Sequence, residues 1–199
     1  HQDQDHAGGA LSLLDGLPVD WTASSLPAEH PFRETPGHRP CADGQAWEWD
    51  GVRFEMLHPQ AAAYASAMRK TNDLSCVLKV TAATGSVLLT GDIETISELA
   101  LSKRQGERLR ADVLLAPHHG SRTSSSPEFL AAVGARTVIF PVGYRNRFRH
   151  PNAEVWRRYE ETGARLLRTD RDGAVTLDFG ASRRLTLERE ARRRYWHGQ

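Results

Sequence analysis

The stretch ADVLLAPHHGS, residues 111–121, decides the fold class because it places a short apolar strand directly before two adjacent histidines. SVLLTGD, residues 86–92, repeats this arrangement with a strand that ends at Gly91 and Asp92. Short apolar runs of this kind, bounded by turn residues, are typical of strands buried inside a layered domain. Polar side chains that follow such strands lie at the rim of a rigid scaffold, where proteins build binding and catalytic sites.

Two β-hairpins are predicted, one that precedes the SVLLTGD strand and one that includes it. AWEWDGVRFEML, residues 46–57, alternates in polarity around Asp50-Gly51, a dipeptide that favours a tight hairpin turn. Residues 74–92 form the second predicted hairpin, which turns near Thr84-Gly85. Residues 22–45 are rich in Pro, Gly, Ser and His, and this composition indicates an excursion with weak structure.

Helices and strands alternate through the rest of the chain. A short helical stretch ends at Gly16, and further helices are predicted at residues 93–103, 127–133 and 151–161, the last with proline in its first turn. Strands are predicted at residues 136–142, 165–168, 174–179 and 184–188. This mixed order predicts an α/β (α+β) domain in which helices pack outside the sheets.

Composition narrows the class of protein. The 199 residues are 39% hydrophobic and 26% charged, with a formal net charge of +1, which suits one soluble domain without a strong overall field for nucleic acid. The sequence contains no apolar run long enough to span a bilayer. It opens on HQDQDH without an initiator Met, so we expect a fragment of something longer. Cys41 and Cys76 could form one bridge in an oxidising compartment, a choice that sequence leaves open.

Four groups of histidine and aspartate stand beside predicted strand or helix boundaries. Taken singly, each has an ordinary explanation: a frayed terminus, a helix cap, a polar loop or a helix-flanking residue. Their joint occurrence in one domain favours a metal site, because a two-metal hydrolytic centre needs about this many ligands and a carboxylate that can bridge. The predicted metal ligands are His1, Asp3, Asp5, His6, Asp92, His119 and His150.

The combination HxDxDHxGG, TGD and PHHGS, followed by NRFRHP at residues 146–151, resembles the metallo-β-lactamase-like domain of ComEC-type competence proteins. NDLS at residues 72–75 and RTDRDGAV at residues 168–175 extend the resemblance over nearly the whole chain. The family consists of membrane proteins of bacterial DNA uptake. The resemblance implies an αββα sandwich that here lacks part of its N-terminal sheet, with the hydrolase domain at residues 1–180. A last strand and basic tail follow at residues 181–199.

The resemblance also implies the ligand roles. His1, Asp3, Asp5 and His6 match the first ligand cluster of the superfamily, and Asp92 matches its bridging aspartate. Asp3 stands where a histidine is usual, and Asn72-Asp73 replace the middle histidine ligand. Two divalent ions are expected. Because oxygen ligands suit hard cations, Mn²⁺ or Mg²⁺ is favoured, and Zn²⁺ is possible. No obligate small-molecule cofactor is expected.

Cleavage of a phosphodiester is the predicted reaction. Asp5 would ligate an ion or hold the nucleophile, and His118 or His119 would contact a phosphate oxygen or protonate the leaving group. Phe148 could stack on a base, but burial is the commoner fate of phenylalanine and is the expectation here. Trp47 and Trp49 are expected to pack a sheet face. The predicted substrate contacts are Ser121, Ser124, Arg145, Asn146, Arg147 and Arg149.

The predicted function is therefore that of a nuclease domain in a DNA-uptake membrane protein, which degrades DNA, on this interpretation the strand that is not imported. Its partners would be DNA, expected to be single-stranded, and the parent membrane channel. The resemblance implies a position on the extracytoplasmic side of the cytoplasmic membrane. Two alternatives stay open: a general hydrolase of small phosphoesters or thioesters, and a DNA-binding module without catalysis.

Overall fold

The computed structural model describes residues 1–65 and 70–194. The helices are α1 (Gln4–Ala7), α2 (Ala10–Gly16), α3 (Thr95–Gln105), α4 (Pro127–Val133), α5 (Ala153–Glu161), α6 (Thr169–Asp172) and α7 (Glu188–Ala191). The strands are β1 (Thr22–Ser24), β2 (His38–Pro40), β3 (Ala46–Trp49), β4 (Val52–His58), β5 (Val77–Ala82), β6 (Gly85–Leu89), β7 (Val113–Leu115), β8 (Thr137–Phe140), β9 (Arg165–Arg168), β10 (Val175–Phe179) and β11 (Arg183–Leu187).

A mixed sheet of seven strands, in the order β3-β4-β5-β6-β7-β8-β9, forms the centre of the fold. Strands β3 to β6 pair antiparallel, with tight turns joining β3 to β4 and β5 to β6, and β6 to β9 pair parallel. Parallel pairing needs crossover connections, and α3, α4 and α5 supply them. The carboxyl ends of β6, β7 and β8 consequently open onto the same edge of the sheet.

Two layers cover this sheet on opposite faces. On one face, Leu88, Leu114 and Phe140 pack with Leu101, Phe129 and Tyr159 from the helices into one buried core. On the other face, the hairpin β10–β11 packs Leu187 against Val113, Ile139 and Leu167. The predicted α/β layered fold is confirmed, with helices outside one face and a second, two-stranded sheet over the other.

Local sequence signals account for several boundaries. Asp50 and Gly51 both have positive φ, at 49° and 76°, as a tight hairpin turn between β3 and β4 requires. Ser126 caps α4 by accepting a hydrogen bond from the Phe129 N–H, and Gly134 ends the helix in the left-handed conformation. The predictions for the first hairpin and for α4 are therefore confirmed.

Two helix starts differ from the predictions. α3 begins at Thr95 instead of residue 93, so Glu94 lies in the loop before the helix. α5 begins at Ala153 because Asn152 caps it, accepting from the Glu154 N–H, whereas Pro151 precedes the cap. In both cases, residues predicted to be helical lie instead in the loops that follow β6 and β8.

Residues 22–45 are more ordered than predicted. β1 and β2 pair in parallel, and a 3₁₀ turn at Pro31–Glu34 lies between them. A disulfide joins Cys41 to Cys76, 35 residues further along the chain, and so ties this excursion to the start of β5. Of the predicted tail, residues 195–199 lie outside the described residues. Among the described residues, no helix combines the length and apolar character needed to cross a bilayer.

Candidate metal centre

Asp92 lies at the centre of the candidate site, directly after β6. Its side chain is buried, and its backbone N–H donates to the Ser75 hydroxyl at 3.0 Å. Burial opposes ionisation of the carboxyl, but His1, His6 and His119 outweigh it and hold the pKa of Asp92 well below its ordinary value. Asp92 is therefore a carboxylate at neutral pH and is held by its main chain.

The two oxygens of Asp92 face different histidines. Oδ1 lies 3.2 Å from His6 Nε2 and 3.6 Å from His119 Nε2. Oδ2 lies 3.5 Å from His1 Nε2 and 3.8 Å from His118 Nε2. A carboxylate shared between two sets of nitrogen donors has the arrangement of a bridging ligand.

Four of the predicted ligands form the tightest group. One ligand atom from each of Asp5, His6, Asp92 and His119 lies within 4.8 Å of all the others. Asp5 and His6 come from α1, Asp92 follows β6, and His119 lies in the loop after β7. The fold therefore brings together residues that are far apart in the sequence. Joint placement is what the clustering of polar residues at strand ends predicted.

The donor chemistry fits a divalent cation. Nε2 of His1 and Nε2 of His119 are buried and make no hydrogen bond with the described residues. Nε2 of His119 nevertheless lies 3.1 Å from an oxygen of Asp5. Nitrogen and carboxylate atoms that converge without hydrogen bonding each other suit a metal ion between them, since a buried donor or acceptor otherwise requires a partner.

The carboxylates also act on His1. Burial lowers the pKa of the His1 imidazole, but Asp92 and Asp3 outweigh burial and the net pKa is raised. Asp3 is itself half exposed, with its Oδ1 3.5 Å from His1 Nδ1. His1 and Asp3 thus lie on the Oδ2 side of Asp92, outside the group of four.

The two adjacent histidines occupy an unusual backbone. His118, His119 and Gly120 have φ values of 49°, 55° and 81°, all in the left-handed region. A Cβ at Gly120 would lie 2.7 Å from Pro151 and 2.8 Å from Phe140, so only glycine fits there. The two rings point in different directions, with their centroids 6.5 Å apart and their planes at 64°.

Contacts at the far side of each ring separate the two histidines. His119 Nδ1 lies 2.8 Å from the carbonyl oxygen of Pro141, while its Nε2 belongs to the group of four. His118 Nδ1 lies 3.2 Å from the Thr123 hydroxyl and 3.6 Å from Glu94. His119 therefore belongs to the group of four that could hold a metal ion, and the His118 ring is held beside that group.

Glu94 is a site residue that the sequence reasoning missed. Its carboxylate accepts hydrogen bonds from Lys70, Asn72 and Thr123, and together they hold its pKa below the ordinary value although burial acts the other way. Its position two residues after Asp92 was the available signal, but the sequence prediction placed Glu94 inside the helix that begins at residue 93. Because α3 begins later, Glu94 faces His118 instead.

Several predicted ligands fall outside the group of four. The His150 ring lies 6.5 Å from that of His119, nearly parallel to it, and forms a wall of the site. The prediction that Asn72-Asp73 supply the middle ligand is wrong, because the Asn72 amide donates to Glu94 and the Asp73 carboxylate accepts from Ser97. These residues support the site from outside.

Two predicted substrate contacts have structural roles instead. Ser124 is fully buried, and its hydroxyl donates to the carbonyl oxygens of Pro117 and Ser121. Asn146 donates to the His150 carbonyl and accepts from the His150 N–H, which braces the loop before α5. Both side chains hold loops in place, so the prediction that Ser124 and Asn146 contact substrate is wrong. Ser121 is buried as well, with its hydroxyl 3.3 Å from that of Thr123.

The loop at residues 143–149 carries the predicted positive track. Arg145, Arg147 and Arg149 are all exposed, so the structure leaves them available to an anionic partner. The expectation that Phe148 is buried is wrong: its side chain is 66% exposed. By contrast, Trp47 stacks on Phe54 across the β3–β4 pair, as a residue that packs a sheet face does. The same expectation for Trp49 is wrong, because its side chain is 69% exposed.

Sequence comparison finds relatives that are much longer than this chain. It is 35% identical over 199 residues to the uncharacterized protein YcaI of Escherichia coli K12, and 39% identical over 180 residues to competence protein ComA of Neisseria gonorrhoeae. It is 32% identical over 182 residues to recombination protein 2 of Haemophilus influenzae. These matches cover 99%, 90% and 90% of the chain, but only 25%, 24% and 21% of the relatives. The sequence matches no protein-family model.

Solved structures share the fold at low identity. A metallo hydrolase from the archaeon Ignicoccus hospitalis superposes with a TM-score of 0.53 at 16% identity, over 83% of this chain and 72% of that one. CmlA of Streptomyces venezuelae, a diiron β-hydroxylase, gives a TM-score of 0.56 at 14% identity, over 94% of this chain and 44% of that one. One fold therefore serves different reactions, and the reaction must be argued from the site.

Proposed function

The chain is a metallo-β-lactamase-like domain of the ComEC type, and from this premise we propose that it is a metal-dependent phosphodiesterase that cleaves DNA. The observation that carries the proposal is the position of Asp92 between two sets of histidines. A phosphodiester needs charge neutralised on both its attacking and its leaving oxygen, and a bridging carboxylate defines a centre with two such positions. The chain spans about a quarter of the length of these relatives.

Two divalent ions are part of this proposal. Asp5, His6, Asp92 and His119 would hold one, and His1, Asp3 and Asp92 would hold the other. When bound, such ions lower the pKa of water and stabilise charge on the phosphate. Three of these six residues contribute carboxylate oxygen, which favours Mn²⁺ or Mg²⁺ over Zn²⁺.

The protein residues position the reacting groups. His118 directs Nε2 toward the site while Thr123 and Glu94 hold its other nitrogen, so it can donate to a phosphate oxygen or to the leaving group. Asp5 is 61% exposed on the open side, where its second oxygen can accept from an attacking water. Burial of Asp92 limits water on the inner side of the site.

DNA as the substrate rests on charge and on the relatives. Arg145, Arg147 and Arg149 stand on the loop that leads to His150, and guanidinium groups bind phosphate through sequence-independent contacts. Competence protein ComA is a relative at 39% identity. We propose that the bound DNA is single-stranded and that it is the strand excluded from import.

The disulfide supports a position outside the cytoplasm. Bridges such as Cys41–Cys76 form and persist in oxidising compartments and are rare in the cytosol. We therefore propose that the domain faces the extracytoplasmic side. From its competence-protein relatives we also propose that the parent is a membrane protein with a channel.

A metal-reconstitution assay tests the function. The chain is stripped with EDTA, reloaded with Mn²⁺, Mg²⁺ or Zn²⁺, and incubated with labelled single-stranded DNA, duplex DNA and small chromogenic phosphoesters and thioesters. Loss of DNA that needs metal and disappears in Asp92→Asn is expected. Turnover of small esters alone would assign a general hydrolase, and salt-sensitive DNA binding without turnover would assign a binding module; either result overturns the proposal.

A further inference from the structure

Two aromatic rings stand exposed on the loop at residues 143–149. Tyr144 is 69% exposed and Phe148 is 66% exposed. Burial normally stabilises such side chains, so a pair of exposed rings within one loop needs a reason. The loop is braced, since Asn146 makes two hydrogen bonds to the main chain of His150 and thereby fixes the turn between the rings.

The exposed ring of Phe148 connects directly to the candidate centre. It stacks on His150 at 5.8 Å between ring centroids and an interplanar angle of 16°. His150 in turn stacks on the ligand His119 at 6.5 Å and 18°. Three nearly parallel rings, those of His119, His150 and Phe148, therefore lead from the group of four to the surface, and Phe148 lies two ring contacts away from that group.

Each exposed ring also has a guanidinium beside it. Arg147 lies 4.8 Å from the Phe148 centroid, and Arg145 lies 5.2 Å from that of Tyr144. Cation–π contacts at exposed positions are weak and readily displaced. A base can therefore take the place of the guanidinium on the ring while the arginine turns to the adjacent phosphate. Aromatic rings interleaved with arginines are a recurrent way to bind unpaired strands.

We propose that Tyr144 and Phe148 form a stacking platform for unpaired bases next to the scissile phosphate, and that this platform selects single-stranded DNA. The proposal rests on the proposed phosphodiesterase function and adds the residues that read the substrate. Base faces inside a duplex are already stacked on their neighbours, so a duplex must unstack before it can use the platform. Base stacking on an aromatic side chain contributes about 5- to 150-fold in affinity for each base.

Binding measurements with matched strands test the platform. Fluorescence anisotropy compares a single strand, a hairpin duplex of the same sequence, and a strand of equal length with abasic sites, with the full chain in EDTA to prevent cleavage. We expect Tyr144→Ala with Phe148→Ala to lower affinity for the single strand at least 10-fold, while the abasic strand and the duplex change less than 2-fold. Phe148→Trp keeps the aromatic face and should keep the affinity.

Trp49 provides a matched control. It is 69% exposed, as exposed as Tyr144, but lies beside the β3–β4 turn at the opposite end of the sheet from Asp92. Trp49→Ala should leave all three affinities unchanged. Thermal unfolding checks that each variant folds, which the exposure of the replaced rings favours.

Failure of the platform differs from failure of the proposed function. If the wild-type chain cleaves DNA with metal but the double variant binds the single strand normally, or loses duplex and abasic strand equally, the platform is refuted alone. If the wild-type chain cleaves no DNA with any metal yet shows the aromatic-dependent preference, the phosphodiesterase is refuted and the platform stands. If the wild-type chain shows neither, both proposals fall.

Discussion

Nδ1 of His119 lies 2.8 Å from the carbonyl oxygen of Pro141. A carbonyl oxygen can only accept a hydrogen bond, so Nδ1 carries the hydrogen and the neutral ring keeps its lone pair on Nε2, which faces Asp5 and Asp92. We predict that His119→Ala loses bound metal, measured by elemental analysis after dialysis against Mn²⁺. His118→Ala should retain the metal and lower kcat about 10²- to 10⁴-fold, as removal of a general acid does. Equal metal loss in both variants would contradict this division of roles.

Replacement of Asp92 tests the bridge. Asp92→Asn keeps the size of the side chain and the backbone hydrogen bond to Ser75, so the fold should remain. The amide cannot serve both sets of histidines as an anion, and turnover should fall to background. Added Mn²⁺ at 100 times its dissociation constant should stabilise the wild-type chain by about 2.7 kcal/mol and the variant much less. Unchanged cleavage by the variant, assayed on labelled DNA, would remove Asp92 from the mechanism.

The arginine track has a charge-matched control. Replacement of Arg145, Arg147 and Arg149 by Ala should weaken DNA binding and lower the slope of log K against log salt by about 2, since each lost phosphate contact removes about 0.7 for single strands. The same change at residues 192–194 removes equal charge from the exposed tail. That control should leave the slope unaltered. A salt titration of anisotropy measures both, and equal effects would indicate a general charge effect without a track.

Much of the architecture is predictable from local patterns, while the division of roles within the site is not. The Asp50-Gly51 turn and the Ser126 cap of α4 depend on neighbouring residues, and the sequence contains both signals. The clustering of Asp92 with the adjacent histidines follows from strand ends at one sheet edge. These inferences need only short-range rules and the alternation of strands and helices.

The missed features depend on contacts between distant residues. The ring orientation of His119 is set by Pro141, 22 residues away, and the position of Glu94 is set by Lys70, 24 residues away. Burial of Ser124 depends on the carbonyl oxygen of Pro117, on the other side of a left-handed turn. No periodicity reports such contacts, which is why sequence alone left the choice between His118 and His119 open.

The disulfide should stabilise both the excursion and the site. Cys76 follows Ser75, whose hydroxyl accepts from Asp92, and Cys41 is fully buried. Reduction opens a loop of 35 residues and should cost about 2–4 kcal/mol of unfolding free energy. Urea unfolding with and without reductant measures this. The double variant Cys41→Ser with Cys76→Ser should give the same urea unfolding curve as the reduced chain, and reductant should not change that curve. A reduced chain as stable as the oxidised one would show that the bridge carries no stability.

Stability in acid should depend on Asp112. Burial opposes its ionisation, but Arg183 and the Ser86 N–H outweigh burial and hold the pKa of Asp112 below its ordinary value of 3.8. Since the folded pKa is the lower one, the carboxylate contributes stability above pH 3.8, and this contribution disappears as pH falls through the folded pKa. Asp112→Asn should cost about 1 kcal/mol at pH 7 and flatten the decline in acid.

Urea unfolding between pH 2 and 7 measures the Asp112 contribution. Asp15→Asn, at an exposed position of α2, is the control and should follow the wild-type curve. A parallel decline for Asp112→Asn and wild type would place the acid sensitivity elsewhere.

The left-handed turn at His118, His119 and Gly120 leaves no room for a side chain at its glycine, whereas the loop at residues 143–149 projects into solvent. Substitutions should therefore be tolerated unequally in these two regions, although both border the candidate site. Libraries that vary the projecting loop change exposed side chains while Asp5, His6, Asp92 and His119 keep their positions. Such libraries should yield folded proteins far more often than libraries directed at the turn.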